Sequence, residues 1–167
     1  NPIIFQLSET YDLELFARAL ELREEVGIKT EPVFLGIHAP RDANLGAMRK
    51  SDPETLAEVK VKANEIMDVV EKVLGHRDVY FYGWDEGHNE ELDEQRPIWK
   101  AIHETGGKII TSGYRPGMKN DPKGSIGRVG DLLDCFVTAA GTSREEANDW
   151  HGHGQMVWSY GNPQAGT

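Results

Sequence analysis

Cysteine is all but missing from this sequence: Cys135 is the only one in 167 residues, so no internal disulfide can form. The redox compartment is left open by that count. Cys135 sits in Leu132-Leu133-Asp134-Cys135-Phe136-Val137, where a small buried hydrophobe is expected rather than a nucleophile. No apolar run is long enough for a membrane span. Positive charge is scarce, with 18 Lys and Arg against 28 Asp and Glu and a formal charge of −10, which argues against nucleic acid as a partner. No Gly-rich phosphate turn follows either early apolar run, and no Gly-x-Ser-x-Gly elbow appears. Repeats, low-complexity tracts and linkers are lacking. The chain begins at Asn1 without an initiator Met or a signal-peptide pattern, which fits a processed, trimmed or partial chain.

What is present describes one globular domain over residues 1–167, with 38% hydrophobic and 28% charged residues. Apolar runs alternate with helical patterns. Strands are expected at Ile3–Leu7, Pro32–Ile37, Val79–Trp84, Lys108–Ser112, Cys135–Thr138 and Gln155–Ser159. Between them, Leu13, Phe16, Ala17 and Leu20 recur at helical spacing up to Gly27. A longer helix opens after Ser51, with Glu54 in capping-box position, and ends at Gly75. A third is expected over Pro97–Thr105, and a fourth is opened by Ser143 with Glu146 as its reciprocal cap. The Gly-rich stretch Tyr114–Gly130 reads as a long loop holding one short helix. Such an alternation predicts a parallel sheet. Without a phosphate turn an open nucleotide-binding sheet loses ground to a (β/α)8 barrel. A full barrel takes about 250 residues. About six βα units are expected here, so the domain reads as an incomplete barrel.

The chemistry concentrates where Val79-Tyr80-Phe81-Tyr82-Gly83-Trp84 runs into Asp85-Glu86-Gly87. A buried strand cannot keep two ionised carboxylates in the core, so the pair is placed at a strand mouth, where barrel enzymes collect their catalytic groups. The bland alternative is a helix cap. Other expected mouths are also polar or aromatic: Gln6, Ser8, Glu9 and Tyr11 after the first strand, His38 and Arg41 after the second, Tyr114 and Arg115 after the fourth. Trp158, Tyr160, Asn162 and Gln164 follow at the last. Flat rings together with amides, hydroxyls and carboxylates are what a sugar site requires. Of the six His residues, His76, His88 and His103 read as solvated, and His151-Gly152-His153 as a turn rather than a metal site. No metal or other cofactor is called for.

The run Tyr80-Phe81-Tyr82-Gly83-Trp84-Asp85-Glu86-Gly87, then Trp99, Ile102 and His103-Glu104-Thr105-Gly106-Gly107-Lys108, resembles the catalytic domain of glycoside hydrolase family 123. The closing Trp158-Ser159-Tyr160-Gly161-Asn162-Pro163-Gln164 is similar to the same family. The resemblance implies an exo-acting β-N-acetylgalactosaminidase or close relative, with an Asp-Glu pair ending the fourth barrel strand. This chain would then run from the second strand to the seventh, and the rest of the barrel would come from further segments or another subunit. An extracellular or periplasmic location is also implied, with a glycan as substrate. Gly87 departs from the family pattern, where Pro is expected after the acids.

Neighbouring residues have Cα atoms about 3.8 Å apart, so their carboxylates do not readily straddle one anomeric carbon as acid and nucleophile. A substrate-assisted route suits adjacency: Asp85 orients the 2-acetamido group, and Glu86 is general acid and then base, with configuration retained. Tyr160 and Asn162 would bond the acetamido oxygen, with Trp158 or Trp84 as an apolar wall. Tyr82, Gln6, Glu9, His38, Tyr114, Arg115 and Gln164 complete the expected sugar contacts. Two other classes are carried beside it. A retaining galactosidase needs a separate nucleophile at a later mouth, and the stretch after Gln155 offers no acid. A carbohydrate-binding or structural module on an inactive barrel is the non-enzymatic case.

Overall fold

The structure is a computed structural model that describes residues 4–5, 11–36, 44–138 and 142–159. Strands and helices alternate in chain order. They are β1 (Ile4–Phe5), α1 (Leu13–Glu25), β2 (Val33–Leu35), α2 (Pro53–Leu74), β3 (Val79–Tyr82) and α3 (Glu90–His103), then β4 (Lys108–Gly113), α4 (Gly124–Val129), β5 (Cys135–Thr138), α5 (Arg144–Gly152) and β6 (Met156–Ser159). The α/β alternation and the parallel sheet are as expected.

The helices start and stop where backbone chemistry dictates. Asp12 caps α1 by accepting from the Leu15 amide, and Ser143 caps α5 by accepting from that of Glu146. In α2 the capping residue is Asp52, not Ser51: its carboxylate accepts from the Thr55 amide and hydroxyl, and Pro53 sits in the first turn. These bonds hold the Asp52 carboxyl well below the usual carboxylate range. Gly75 closes the helix in the left-handed region at φ 78°, its N–H bonded to the Glu71 carbonyl. Helix α3 begins seven residues before Pro97, with Glu90, Glu91 and Asp93 in its first turn. The expected helix over Pro97–Thr105 is longer at its start, because burial of Leu92 and Gln95 on the turns before Pro97 draws it back toward β3.

Among the described residues all six strands are parallel and lie in the order β1-β2-β3-β4-β5-β6, without a reversal. Their two faces differ. Val33, Leu35, Val79, Phe81, Ile109 and Phe136 pack with Phe16 and Leu20 of α1, Val59, Ile66 and Val70 of α2, Trp99 and Ile102 of α3 and Trp150 of α5 in one core. Phe34, Tyr80, Tyr82, Ile110 and Cys135 form a second cluster with Val137, Met156 and Trp158, and no helical residue belongs to it among the described residues. The helices therefore cover one face of the sheet.

The second face is buried because the sheet curls around it. Phe34 on β2 and Trp158 on β6 have ring centroids 5.1 Å apart. In a flat sheet, four strand spacings would hold those residues roughly 19 Å apart. Phe34 also stacks on Tyr80 of the neighbouring strand at 4.7 Å. This aromatic lining fills the concave side.

Two contacts tie the rim to the core. The indole Nε1 of the fully buried Trp99 donates to the Gly46 carbonyl at 2.8 Å, and a Cβ on Gly46 would stand 2.4 Å from the Tyr82 carbonyl oxygen. The segment after β2 is thereby pressed onto the end of β3. At the opposite end Asp134 accepts from the Ile109 amide at 2.7 Å and lies 2.8 Å from His103 Nε2, so His103 is half-buried and paired rather than solvated. His76 likewise accepts from the Asp78 amide through Nδ1 at 3.1 Å.

Trp99→Phe leaves the Gly46 carbonyl without its buried donor and is expected to lower the unfolding free energy by about 1–3 kcal/mol, measured by urea denaturation. Cys135 lies fully buried on the concave face, and desolvation, helped by Asp134, pushes its thiol up to about 12. The native protein should therefore resist a thiol reagent at pH 8 and release one thiol per chain in denaturant. Because the unfolded thiol ionises near 9.0 and the folded one near 12, its contribution is complete below pH 9 and is lost as the pH climbs toward 12.

Candidate functional site

Just past β3, the Gly83 amide donates to the Ile110 carbonyl at 2.8 Å, and the chain then leaves the sheet. The next peptide is held from two sides. The Trp84 amide donates to Gln95 Oε1 at 2.8 Å, and the Trp84 carbonyl accepts from Thr111 Oγ1 at 2.8 Å. Glu86 follows at φ 52°, in the left-handed region that non-glycine residues rarely occupy. Strain of this kind persists only where surrounding bonds over-determine it, and it gathers at functional sites. Gly87 then bridges to Gly113 of β4 and donates its N–H to the Trp84 carbonyl at 3.3 Å, a bond that proline could not make.

This turn leaves both carboxylates exposed at the strand mouth, among hydroxyl groups. Asp85 Oδ1 accepts from the Tyr82 hydroxyl at 2.8 Å and also from Ser112 Oγ. Ser112 completes a ring of bonds: its amide donates to the Tyr82 oxygen at 3.2 Å, and its Oγ accepts from the Glu86 amide at 3.3 Å. Both hydroxyl donors fall on Oδ1; among the described residues none falls on Oδ2. Glu86 Oε2 accepts from the Tyr114 hydroxyl at 2.8 Å, and His88 stands edge-on to the Tyr114 ring at 6.0 Å. Asp85 is thus fixed in orientation by short buried groups, while Glu86 projects farther out toward the segment after β4.

The expected site residues divide. Asp85, Glu86, Tyr82 and Tyr114 come together in one bonded cluster at the ends of β3 and β4. Trp158 lies half-buried on the concave face against Phe34 and is not among the residues bonded in that cluster. Trp84 is half-buried with the Arg49 guanidinium over its indole, so a cation occupies a ring expected to serve as a sugar wall. Arg115 turns instead toward α5, 3.5 Å from Glu146. Tyr11 is not at the mouth: its hydroxyl bonds Glu65 at 3.0 Å on α2. Gln6, Ser8, Glu9, His38, Arg41, Tyr160, Asn162 and Gln164 lie outside the described residues.

Ser112, Thr111, Gln95 and Arg49 went unrecognised in the sequence. For Ser112 a signal exists: in parallel register Tyr82 pairs with Ile110, and Ser112, two residues on, shares its face. Beside this cluster, a cavity of about 310 Å³ opens between the segment after β4 and helix α5, with Tyr114 in its wall.

No family model and no curated protein sequence matches this chain. Among solved structures it is similar to a UDP-N-acetylglucosamine 2-epimerase from Rickettsia bellii, at 18% identity and a TM-score of 0.30. The match covers 86% of this chain and 34% of the epimerase chain.

Burial, with the nearby Asp85 charge, raises the Tyr82 hydroxyl above the ordinary 10.0 of tyrosine. It should stay protonated, and so remain a donor to Asp85, through pH 10.5. Absorbance titrations at the phenolate band are expected to be the same for wild type and Tyr82→Phe up to that pH; a lost component below it would contradict the bond.

Proposed function

We propose that this chain forms most of a (β/α)8-type barrel and that it hydrolyses β-N-acetylhexosaminides, N-acetylgalactosaminides foremost, by a retaining, substrate-assisted mechanism. The barrel is supported by the unreversed strand order, the helices on one face and the curl that brings β2 to β6. A doubly wound sheet reverses its order and carries helices on both faces. Further barrel segments, from a longer chain or another subunit, would close the ring and cover its edges.

The observation that carries the activity is the fixed Asp85 beside a reaching Glu86, both open to solvent at one strand mouth. With Oδ1 saturated by Tyr82 and Ser112, Asp85 offers Oδ2 to the acetamido N–H of a bound sugar. That bond turns the acetamido carbonyl oxygen toward the anomeric carbon and offsets the positive charge that develops on the group. Glu86 gives its proton to the glycosidic oxygen as the bond to the anomeric carbon breaks and the acetamido oxygen bonds in its place. The leaving alcohol departs. Glu86, now a carboxylate, takes a proton from water, which attacks the anomeric carbon from the side just vacated and reopens the oxazolinium ring. Two inversions retain the configuration. Tyr114 steadies the Glu86 carboxyl between its two roles. Tyr160 and Asn162 are assigned to the acetamido oxygen and Trp158 to the floor beneath it, as the family resemblance implies.

Asp85→Asn and Glu86→Gln are each expected to lower kcat on an aryl N-acetyl-β-galactosaminide by at least about a hundredfold, the scale of a lost acid-base group. An N-acetyl thiazoline analogue should inhibit the wild type and would leave an enzyme with its own carboxylate nucleophile untouched. Near wild-type rates in both variants would exclude the assignment, and sugar binding without turnover would favour a carbohydrate-binding module.

A further inference from the structure

The cavity beyond Tyr114 is absorbed by none of the roles above. It measures about 310 Å³, at the small end of ligand pockets and enough for about one monosaccharide. Its apolar lining includes Phe136 and Trp150, whose rings stack at 4.6 Å. Its polar lining is lopsided: Glu145, Glu146 and Asp149 of α5 face a single guanidinium, Arg115, which stands 3.5 Å from Glu146. Glu145 and Asp149 are exposed at the rim, while the Glu146 side chain is only 14% exposed.

Position gives the cavity its meaning. A general acid must stand beside the glycosidic oxygen, so the departing group lies on the acid's side of the scissile bond. Tyr114 bonds Glu86 through its hydroxyl and also lines the cavity, which places the cavity one aromatic side chain beyond the proposed acid. We propose that this cavity is the subsite for the leaving saccharide, and that it takes a neutral or amine-bearing sugar and rejects a uronic or sulfated one. The assignment rests on the hydrolase reading for its role, but on the cavity alone for its selectivity. The excess of carboxylates repels an anionic sugar and favours an ammonium group, while the stacked Phe136 and Trp150 rings, both buried, form a rigid floor beneath the cavity.

The test is a titration of the whole chain with D-glucosamine hydrochloride and with D-glucuronate at matched low ionic strength, following the Trp150 indole N–H and the Glu146 amide by NMR. Glucosamine is expected to shift both signals saturably, with an apparent affinity at least roughly tenfold above that of glucuronate. The preference should shrink in 0.5 M salt, because the charges at the rim are exposed. The double variant Glu145→Gln/Asp149→Asn should narrow it to about twofold, a loss that two exposed charges acting on opposite ligands can account for. Silence at Trp150 with both sugars, or equal response to glucuronate, overturns the cavity assignment. A Trp150 response to glucosamine in a protein that does not cleave the aryl glycoside would overturn the hydrolase reading instead. Cleavage without any Trp150 response would overturn the cavity and spare the hydrolase.

Discussion

The packing of Phe34 against Trp158 governs the rest of this molecule. Two strands separated by four spacings in the sheet can meet through their side chains only if the sheet bends, and the bend sets which face is inside. With the helices stacked on the convex side, the concave side is left to aromatic and small apolar residues: Phe34, Tyr80, Tyr82, Ile110 and Cys135. The C-terminal ends of β3 and β4 lie side by side, and there Tyr82, Ser112 and Tyr114 bond Asp85 and Glu86.

Around those acids local strain and side-chain hydrogen bonds meet in one turn. Glu86 sits at positive φ, and the peptide before it is gripped by Gln95 from α3 and Thr111 from β4. The buried polar groups near the turn are drawn into the same system: Tyr82, Ser112 and Thr111 all bond to the Trp84–Glu86 segment. A turn held by elements on both sides can keep one carboxylate fixed while the other reaches outward. That division suits a mechanism in which one acid orients and the other transfers protons. Gly87 has a physical reason of its own, since its N–H closes the turn on the Trp84 carbonyl.

Much of this was legible from residue patterns. The apolar runs located the strands, and Gly75 and Ser143 marked helix boundaries by mechanisms that act within a few residues. The exposure of Asp85 and Glu86 followed from the cost of burying ionised acids. Where the patterns misled, a longer-range contact had prevailed. A helix was expected only from Pro97, yet Leu92 and Gln95 are buried in the turns before it. Ser51 looked like a cap, but Asp52 carries the stronger acceptor and is followed by Pro53. His103 looked solvated, but Asp134, distant in sequence, lies against it.

By itself the sequence determined the alternation of strand and helix, the parallel sheet that such alternation requires, and the placing of an acid pair beyond a buried strand. These are consequences of periodicity, capping and desolvation, which operate over a turn or a strand at a time. Only the tertiary structure decided that Ser112 and Tyr82 would share Asp85, that Arg49 would cover Trp84, and that Arg115 would leave the mouth for Glu146. Each of those pairings joins residues from different elements or loops. Their meeting depends on strand register, on the curl of the sheet and on how closely Trp99 draws the segment after β2 onto β3, none of which a local pattern encodes.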